Sequence, residues 1–265
     1  MTVNTKLPIP TTPLLKEYRA MRQQSQRQRL DAAHELISSA DAFAQRVRES
    51  IERFGVFDNT AEPFCPHHAP LGDPVAIVGG RSLATALAQG TQTVSGGAGF
   101  SFTLVDYEVP PARTTSKAPL MLNQWDDGTR SITTMKIDLL LRHEDGTPMI
   151  GEAKVANARG YDTDSVLALV QALAGATQFA TPHQQRRLAR HYPHAFELQS
   201  RLDVVVVAYQ PPVLANSTFQ AQLDAAARTL AQVLTQSPQF PKELRYIRFL
   251  RARGAPSALS LEEIT

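Results

Sequence analysis

Two acidic residues and a lysine stand in neighbouring apolar runs of the sequence, where they could bind a metal ion and activate water. Asp138 lies within 132–142, and Glu152 and Lys154 lie within 148–155. Both runs have the length and composition of β-strands. Two carboxylates supply hard oxygen ligands that suit Mg²⁺ or Mn²⁺, and the lysine adds an ammonium group beside them.

The turn between the two runs decides whether the acids meet. A three-residue connection, 144–146, ends in Gly146, which can adopt the left-handed conformation of a bulged hairpin. In that register Asp138 faces Glu152, and like charges on facing residues are destabilising unless a cation lies between them. A two-residue turn would instead put the acids on opposite faces of the sheet. Side-chain alternation predicts that the face opposite Asp138 is apolar and carries Ile137, Leu139 and Leu141.

Ile137-Asp138, the triplet Glu152-Ala153-Lys154 and a following helix with Gln171 resemble the PD-(D/E)XK nuclease superfamily, the restriction-endonuclease-like fold. The resemblance covers about residues 100–209, with Ile137 in place of the family's proline. It implies that Asp138 and Glu152 bind the metal together with the backbone carbonyl of Ala153. It also implies that Lys154 orients or deprotonates the attacking water and stabilises negative charge in the transition state.

Two parts of the implied site stay open. Gln171 or Gln178, seven residues later on nearly the same helix face, could contact a water or phosphate near Lys154. An acidic residue that the family often places on its first core helix has no clear counterpart in 81–89. The remaining candidates for this upstream ligand are Glu49, Glu52, Asp106 and Glu108.

The order of predicted elements suggests how these residues are positioned. Residues 1–54 form a helical arm of one long helix or two consecutive ones, stopped by Gly55, and 55–98 form a connecting segment with a short helix. Residues 99–265 form the nuclease-like core, with strands at 100–109, 132–142, 148–155, 203–209 and 244–250 and helices between them. We therefore expect an α/β fold with a central mixed β-sheet flanked by helices and an N-terminal helical extension.

Composition narrows the class of protein. The 265 residues carry a formal net charge of +2, which excludes a histone-like polycation, and 43% are hydrophobic, enough for a sizeable core. The start lacks the apolar region of a secretory signal, no run approaches a membrane span, and Cys65 is the single cysteine. These features favour a cytoplasmic protein. Cys65, His67 and His68 lie close in sequence, but they lack the second pair of ligands that a zinc site needs.

Basic residues concentrate in three segments despite the small net charge. Residues 14–30 and 242–253 each carry a net charge of +4, and Arg186, Arg187 and Arg190 form a third group. Such groups either follow a phosphate backbone or form solvated surface. The arm, whose apolar stripe is narrow, is expected to clamp a substrate or to mediate a homodimer.

These observations predict a Mg²⁺-dependent endonuclease that hydrolyses phosphodiester bonds in nucleic acid, with DNA as the expected substrate. A non-catalytic nucleic-acid- or protein-binding module, or a toxin or defence nuclease that acts on RNA, is the alternative. If Asp138, Glu152 and Lys154 have no catalytic function, we expect them to form a salt-bridge patch on a half-exposed sheet.

Overall fold

The computed structural model of the chain describes residues 11–57, 76–97, 99–109, 136–156, 164–198, 201–210 and 218–264. Within these residues the helices are α1 (Pro13–Arg22), α2 (Gln26–Ser38), α3 (Ala40–Phe57), α4 (Gly80–Leu87), α5 (Ser165–Phe179), α6 (Pro182–His191) and α7 (Thr218–Gln236). The strands are β1 (Gln92–Ser95), β2 (Phe100–Val109), β3 (Ile137–His143), β4 (Pro148–Val155), β5 (Leu202–Tyr209), β6 (Leu244–Ala255) and β7 (Ala258–Glu263).

The seven strands form a closed barrel in the order β1 to β7, so the prediction of a restriction-endonuclease-like sheet flanked by helices was wrong. Pairing along the barrel is mixed, with β4, β5 and β6 parallel to one another. Closure comes from the parallel pairing of β1 with β7, where Val94 lies beside Leu261 and Ser95 beside Glu262. The Ser95 hydroxyl also donates a hydrogen bond of 3.0 Å to the Leu261 carbonyl.

The two strands that close the barrel are the two that the sequence pattern did not predict. β1 and β7 have four and six residues, and the buried residues in them are Val94 and Leu261. Such short, mostly exposed strands lack the apolar alternation that identifies a strand from sequence. Without β1 and β7 the predicted sheet has two free edges, so the sequence pattern predicts an open sheet.

The two faces of the barrel wall pack differently. Leu140, Ile150 and Val204 lie on the face covered by α1, α2, α3, α5 and α7, and they form one apolar cluster with those helices. Leu139, Met149 and other alternating residues lie on the inner face, where α4 packs against them. Helices therefore cover both faces of β3 and β4, the strands that carry the predicted carboxylates and lysine.

The N-terminal segment forms three helices rather than one or two. Ser25 begins α2 with a capping box, because its side chain accepts from Gln28 N–H while Gln28 Oε1 accepts from Ser25 N–H. The predicted stop at Gly55 was wrong, since α3 continues to Phe57. Buried residues of the stripe, such as Ala33 and Val47, share the apolar cluster of α5 and α7. The segment predicted as an arm thus packs on the barrel's helical layer.

The hairpin register was predicted correctly. Leu139 pairs with Gly151 and Leu141 with Met149, as the three-residue connection requires. Gly146 has φ +87°, the left-handed conformation that the bulged turn needs. Cys65, His67 and His68 lie outside the described residues. No described helix is long and apolar enough to cross a membrane.

Candidate metal centre

Asp138 and Ala153 meet where the ladder between β3 and β4 ends. Leu139 and Gly151 form its last backbone pair, and one step further the Asp138 Oδ2 atom accepts a hydrogen bond of 3.1 Å from the Ala153 N–H. The N–H and C=O groups of one strand residue point toward the same neighbouring strand. The carbonyl of Ala153 is therefore directed to the side on which Asp138 lies, where a metal could use both oxygens.

A left-handed residue lies beside Asp138 on the adjacent strand. Glu108, between the paired residues Tyr107 and Val109 of β2, has φ +49°, the one positive φ of a non-glycine residue within the described ranges. Such strain is costly and is often found next to functional sites. Here the chain changes sides, because Tyr107 belongs to the inner cluster and Val109 to the outer one.

Ile137 is the exception to the predicted alternation of β3. It was expected to share a face with Leu139, but it packs in the outer cluster, whereas Leu139 lies in the inner one. A Cβ at position 175 would lie 2.9 Å from Ile137 Cγ2, so Gly175 lets α5 pack directly on Ile137. Asp138 therefore lies on β3 at the point where the chain changes sides, opposite Glu108.

Glu152 and Lys154 lie on the helix-facing side of β4 and are bonded to each other. The Lys154 Nζ atom donates to Glu152 Oε1 at 2.6 Å and to Gln171 Oε1 at 3.2 Å. The side chain of Glu152 is 3% exposed and that of Lys154 is 19% exposed. This burial distinguishes the group from a salt-bridge patch on an open sheet.

The electrostatics of Glu152 are unfavourable for its charged form. Burial, the neighbouring Asp138 carboxylate and a hydrogen bond between the two acids raise the pKa of Glu152 well above its ordinary value, against the opposing effect of Lys154. Burial lowers the pKa of Lys154, but attraction to Glu152 and the hydrogen bond between them outweigh it, so this pKa is raised. Lys154 is therefore protonated at neutral pH, while the acidic pair lacks enough positive charge.

A cleft of about 210 Å³ opens beside this group. It lies between the N-terminal ends of α4 and α5, with Gly80, Ala153, Lys154 and Asp164 among its lining residues. A Cβ at position 80 would lie 3.6 Å from Ala153 Cβ and 3.8 Å from Asp138 Oδ2, so α4 begins close to the carboxylate. A helix N-terminus carries partial positive charge, so the start of α4 brings a positive end to the side of the Asp138 carboxylate.

The structure separates the two glutamines that the sequence left open. Gln171 contacts Lys154, as described above. Gln178 is 3% exposed, and its Nε2 atom donates to the Ala174 carbonyl of the same helix at 2.9 Å. Gln171 is therefore the glutamine that positions Lys154, whereas the side chain of Gln178 forms a hydrogen bond within α5.

The candidates for an upstream acidic ligand lie in varied surroundings. Asp106 accepts a hydrogen bond from the Tyr192 hydroxyl, and Glu108 lies 3.7 Å from Lys136. Glu49 accepts from Gln45 on the same helix, and Glu52 is exposed. Among the described residues, no three or more His, Cys, Asp or Glu side chains form a group that could hold a metal. An upstream ligand from these four stays a prediction.

Sequence reasoning missed Tyr18 of α1, which interacts electrostatically with both acids. The charges of Lys154, Glu152, Arg22 and Asp138 all act on the Tyr18 hydroxyl, whose pKa is raised first of all by burial. No spacing rule connects these residues, because α1 and β4 are far apart in the chain. The available signals were the i, i+4 spacing of Tyr18 and Arg22 on one helix and the high basic charge of 14–30.

Comparison of the chain with protein-family models, with curated proteins and with solved structures gives no match. The assignment of function therefore depends on the chemistry of the site.

Proposed function

We propose that the protein is a metal-dependent nuclease that hydrolyses phosphodiester bonds, with DNA as the expected substrate and Mg²⁺ or Mn²⁺ as the cofactor. The observation that carries this proposal is the buried pairing of Asp138 with Glu152 beside the ammonium group of Lys154. A buried carboxyl group with a strongly raised pKa beside a cleft, such as Glu152, is more typical of a functional site than of scaffold. The resemblance to PD-(D/E)XK nucleases supports it through these site residues and not through the architecture of the sheet.

The donor set fits a hard divalent ion. Asp138 and Glu152 would hold it together with the Ala153 carbonyl, and these are oxygen ligands of the kind that Mg²⁺ prefers. Burial and the neighbouring Asp138 carboxylate raise the pKa of Glu152, and a divalent ion beside the pair would offset both effects. When bound, a divalent ion neutralises phosphate oxygens and makes water a better nucleophile near neutral pH.

Lys154 is suited to orient the attacking water rather than to remove its proton. Its raised pKa keeps the amine protonated, so the Nζ atom donates hydrogen bonds and cannot serve as a general base while it faces Glu152. Gln171 holds this ammonium group from α5. In the proposed reaction Lys154 positions the attacking water and stabilises the negative charge that develops on the phosphate.

The test is incubation of the purified protein with plasmid, linear duplex, single-stranded DNA and RNA, in Mg²⁺, Mn²⁺ or EDTA. Hydrolysis is expected with either metal and is expected to stop in EDTA and in Asp138→Ala and Lys154→Ala. Lys136→Ala, which removes an exposed lysine close to Asp138 in sequence, is the matched control and should stay active. Activity that persists in EDTA or in both site variants would contradict the proposal.

A specific observation favours the non-catalytic alternative as the second candidate. Lys154 already donates to the Glu152 carboxylate and to Gln171 Oε1, so these three side chains are bonded to one another without a ligand. Binding of nucleic acid without hydrolysis of any substrate would support that alternative. Hydrolysis of RNA alone would support the toxin or defence nuclease.

Cytoplasmic location and a homodimer remain predictions. Size-exclusion chromatography with light scattering of the full chain measures whether the protein is a homodimer.

A further inference from the structure

The three basic segments of the sequence differ in what surrounds their charges. In 242–253, Arg245 donates to both oxygens of Asp203 at 2.8 and 3.0 Å, and Arg248 donates to Glu263 at 2.8 Å. Arg245 also bonds Asp145 at 2.6 Å. These arginines neutralise acids within the fold, so they are poor candidates for contact with a phosphate backbone.

The second segment lies on α6, which follows α5. Arg187 is 7% exposed, whereas Arg186 and Arg190 are exposed. The N-terminal end of α5 lines the cleft, and α6 follows its C-terminal end. The fifteen residues of α5 span about 20 Å at 1.5 Å per residue, so α6 begins about that far from the N-terminal end of α5.

The first segment is fastened at the mouth of the cleft. Arg29 donates to the Met21 carbonyl at 2.9 Å and to the Gln24 carbonyl at 2.8 Å. Its Nη1 atom also bonds Asp164 Oδ2, the N-cap of α5, at 2.7 Å. Because Arg29 lines the cleft together with Lys154, these bonds hold the last turn of α1 at its edge.

Arg22 belongs to that last turn and is exposed. It lies four residues after Tyr18, on the same side of α1. Tyr18 is partly buried and packs against the apolar cluster that includes α5. The charges of Lys154, Glu152 and Arg22 all act on the Tyr18 hydroxyl. The last turn of α1, held at the edge of the cleft, thus presents the Arg22 guanidinium group to solvent.

We propose that Arg22 on α1 binds a backbone phosphate of the nucleic acid next to the scissile phosphate, so that the helical layer supplies part of the substrate-binding surface. This inference rests on the proposed function, since it assigns the partner of the same site. It names 14–30, through Arg22, as a segment in contact with the phosphate backbone. A guanidinium group suits this role because it offers several donors to phosphate oxygens.

The experiment measures binding of labelled duplex and single-stranded DNA by fluorescence anisotropy, with the full chain carrying Asp138→Asn so that the substrate stays intact. Arg22→Glu is added on this background, and Arg186→Glu is the matched control because it makes the same charge change on another exposed helical arginine. Arg22→Glu should weaken binding severalfold and reduce the slope of log K against log salt by about 1. Arg186→Glu should change neither quantity, and Arg22→Lys should recover part of the affinity.

Equal effects of Arg22→Glu and Arg186→Glu, or a larger effect of the latter, would overturn the inference while leaving the proposed function in place. The same holds if Arg22→Glu in the active protein leaves KM for DNA unchanged. If Asp138→Asn binds no nucleic acid and the unmodified protein hydrolyses none, the proposed function fails together with the inference. Circular dichroism of each variant checks that the fold is kept.

Discussion

Two clusters of buried charge lie toward opposite ends of the paired strands β4 and β5, and they are balanced in opposite ways. Asp203 is fully buried on the inner face, and Arg245 and Arg248 surround it. Glu152, 2% exposed on the helix-facing side, lies beside a second carboxylate and one lysine. Asp203, the fully buried acid of the first cluster, has two arginines beside it, whereas the two acids of the second cluster share one lysine.

The pKa shifts follow this difference. Near Asp203, hydrogen bonds from Arg245 and Thr147 outweigh the effect of burial and hold the pKa of the Asp145 carboxyl well below its ordinary value. At the other end the pKa of Glu152 is raised. Balanced buried charge is what a scaffold needs, whereas unbalanced charge costs stability and is kept where chemistry requires it. This difference supports the proposed metal site at the Asp138 end.

The largest expected effect breaks function at the unbalanced end. Lys154→Ala should lower the rate of hydrolysis by about 10²–10⁴-fold, because it removes the ammonium group that orients the water and stabilises developing charge. Steady-state assays with plasmid DNA measure this rate. Lys136→Ala should keep the rate, and equal losses in the two variants would argue against a special role for Lys154.

The next effect breaks structure at the balanced end. Asp203→Asn should lower the free energy of unfolding by about 3–5 kcal/mol, because two arginines lose the carboxylate that compensates them. Urea denaturation followed by circular dichroism measures it. Asp145→Asn, at a more exposed position, should cost at most about 1 kcal/mol. A cost for Asp203→Asn as small as that for Asp145→Asn would mean that the network does not support the fold.

Metal addition should act on one end alone. At a Mg²⁺ concentration about a hundredfold above its dissociation constant, the free energy of unfolding should rise by about 2.7 kcal/mol, because the ion binds the folded state. Urea denaturation in Mg²⁺ and in EDTA measures the difference. Asp138→Asn should abolish this gain and Asp145→Asn should keep it. The same gain in both variants would place the ion elsewhere.

The smallest effect has the opposite sign from the loss at Asp203. Without metal, Glu152→Gln should raise the free energy of unfolding at pH 8 by about 0.5–2 kcal/mol, because the amide still accepts from Lys154 but carries no charge beside Asp138. Since the pKa of Glu152 is raised in the folded state, ionisation costs stability as pH rises from the ordinary carboxyl range to the raised value.

The gain from Glu152→Gln should therefore shrink as pH falls and vanish below the ordinary pKa of a glutamate. Denaturation curves of both proteins between about pH 4 and 8 measure this convergence. A variant that is less stable than the unmodified protein at pH 8 would show that the ion pair with Lys154 outweighs the repulsion from Asp138.

Much of the site could be predicted from sequence because it is built on a hairpin. The turn that ends in Gly146 sets the register, and the register brings Asp138 to Glu152 across a short loop. Helix α5 was also predictable, since Asp164 caps it and its apolar residues repeat at helical spacing. The predicted face of Ile137 was wrong, because the chain changes sides at paired positions of β2 and β3. The sequence of β3 alone does not indicate that change.

The closed barrel could not be predicted, and with it the fold class. Ser95 and Leu261, which meet where β1 closes on β7, are 166 residues apart, and neither strand has a strong apolar pattern of its own. The helical layer was partly visible, because the stripe of the N-terminal helices indicated a docking face. Where that face docks depends on α5 and α7.

The sequence by itself determined the acidic pair, the lysine and the strands that carry them, because hairpin register and side-chain alternation are local properties. Tertiary structure alone decided that α1 brings Tyr18 and Arg22 to these residues, that Arg29 bonds Asp164 across 135 residues, and that the sheet closes. The physical reason is that such contacts depend on how separate elements pack and bury their apolar faces, which no local spacing encodes.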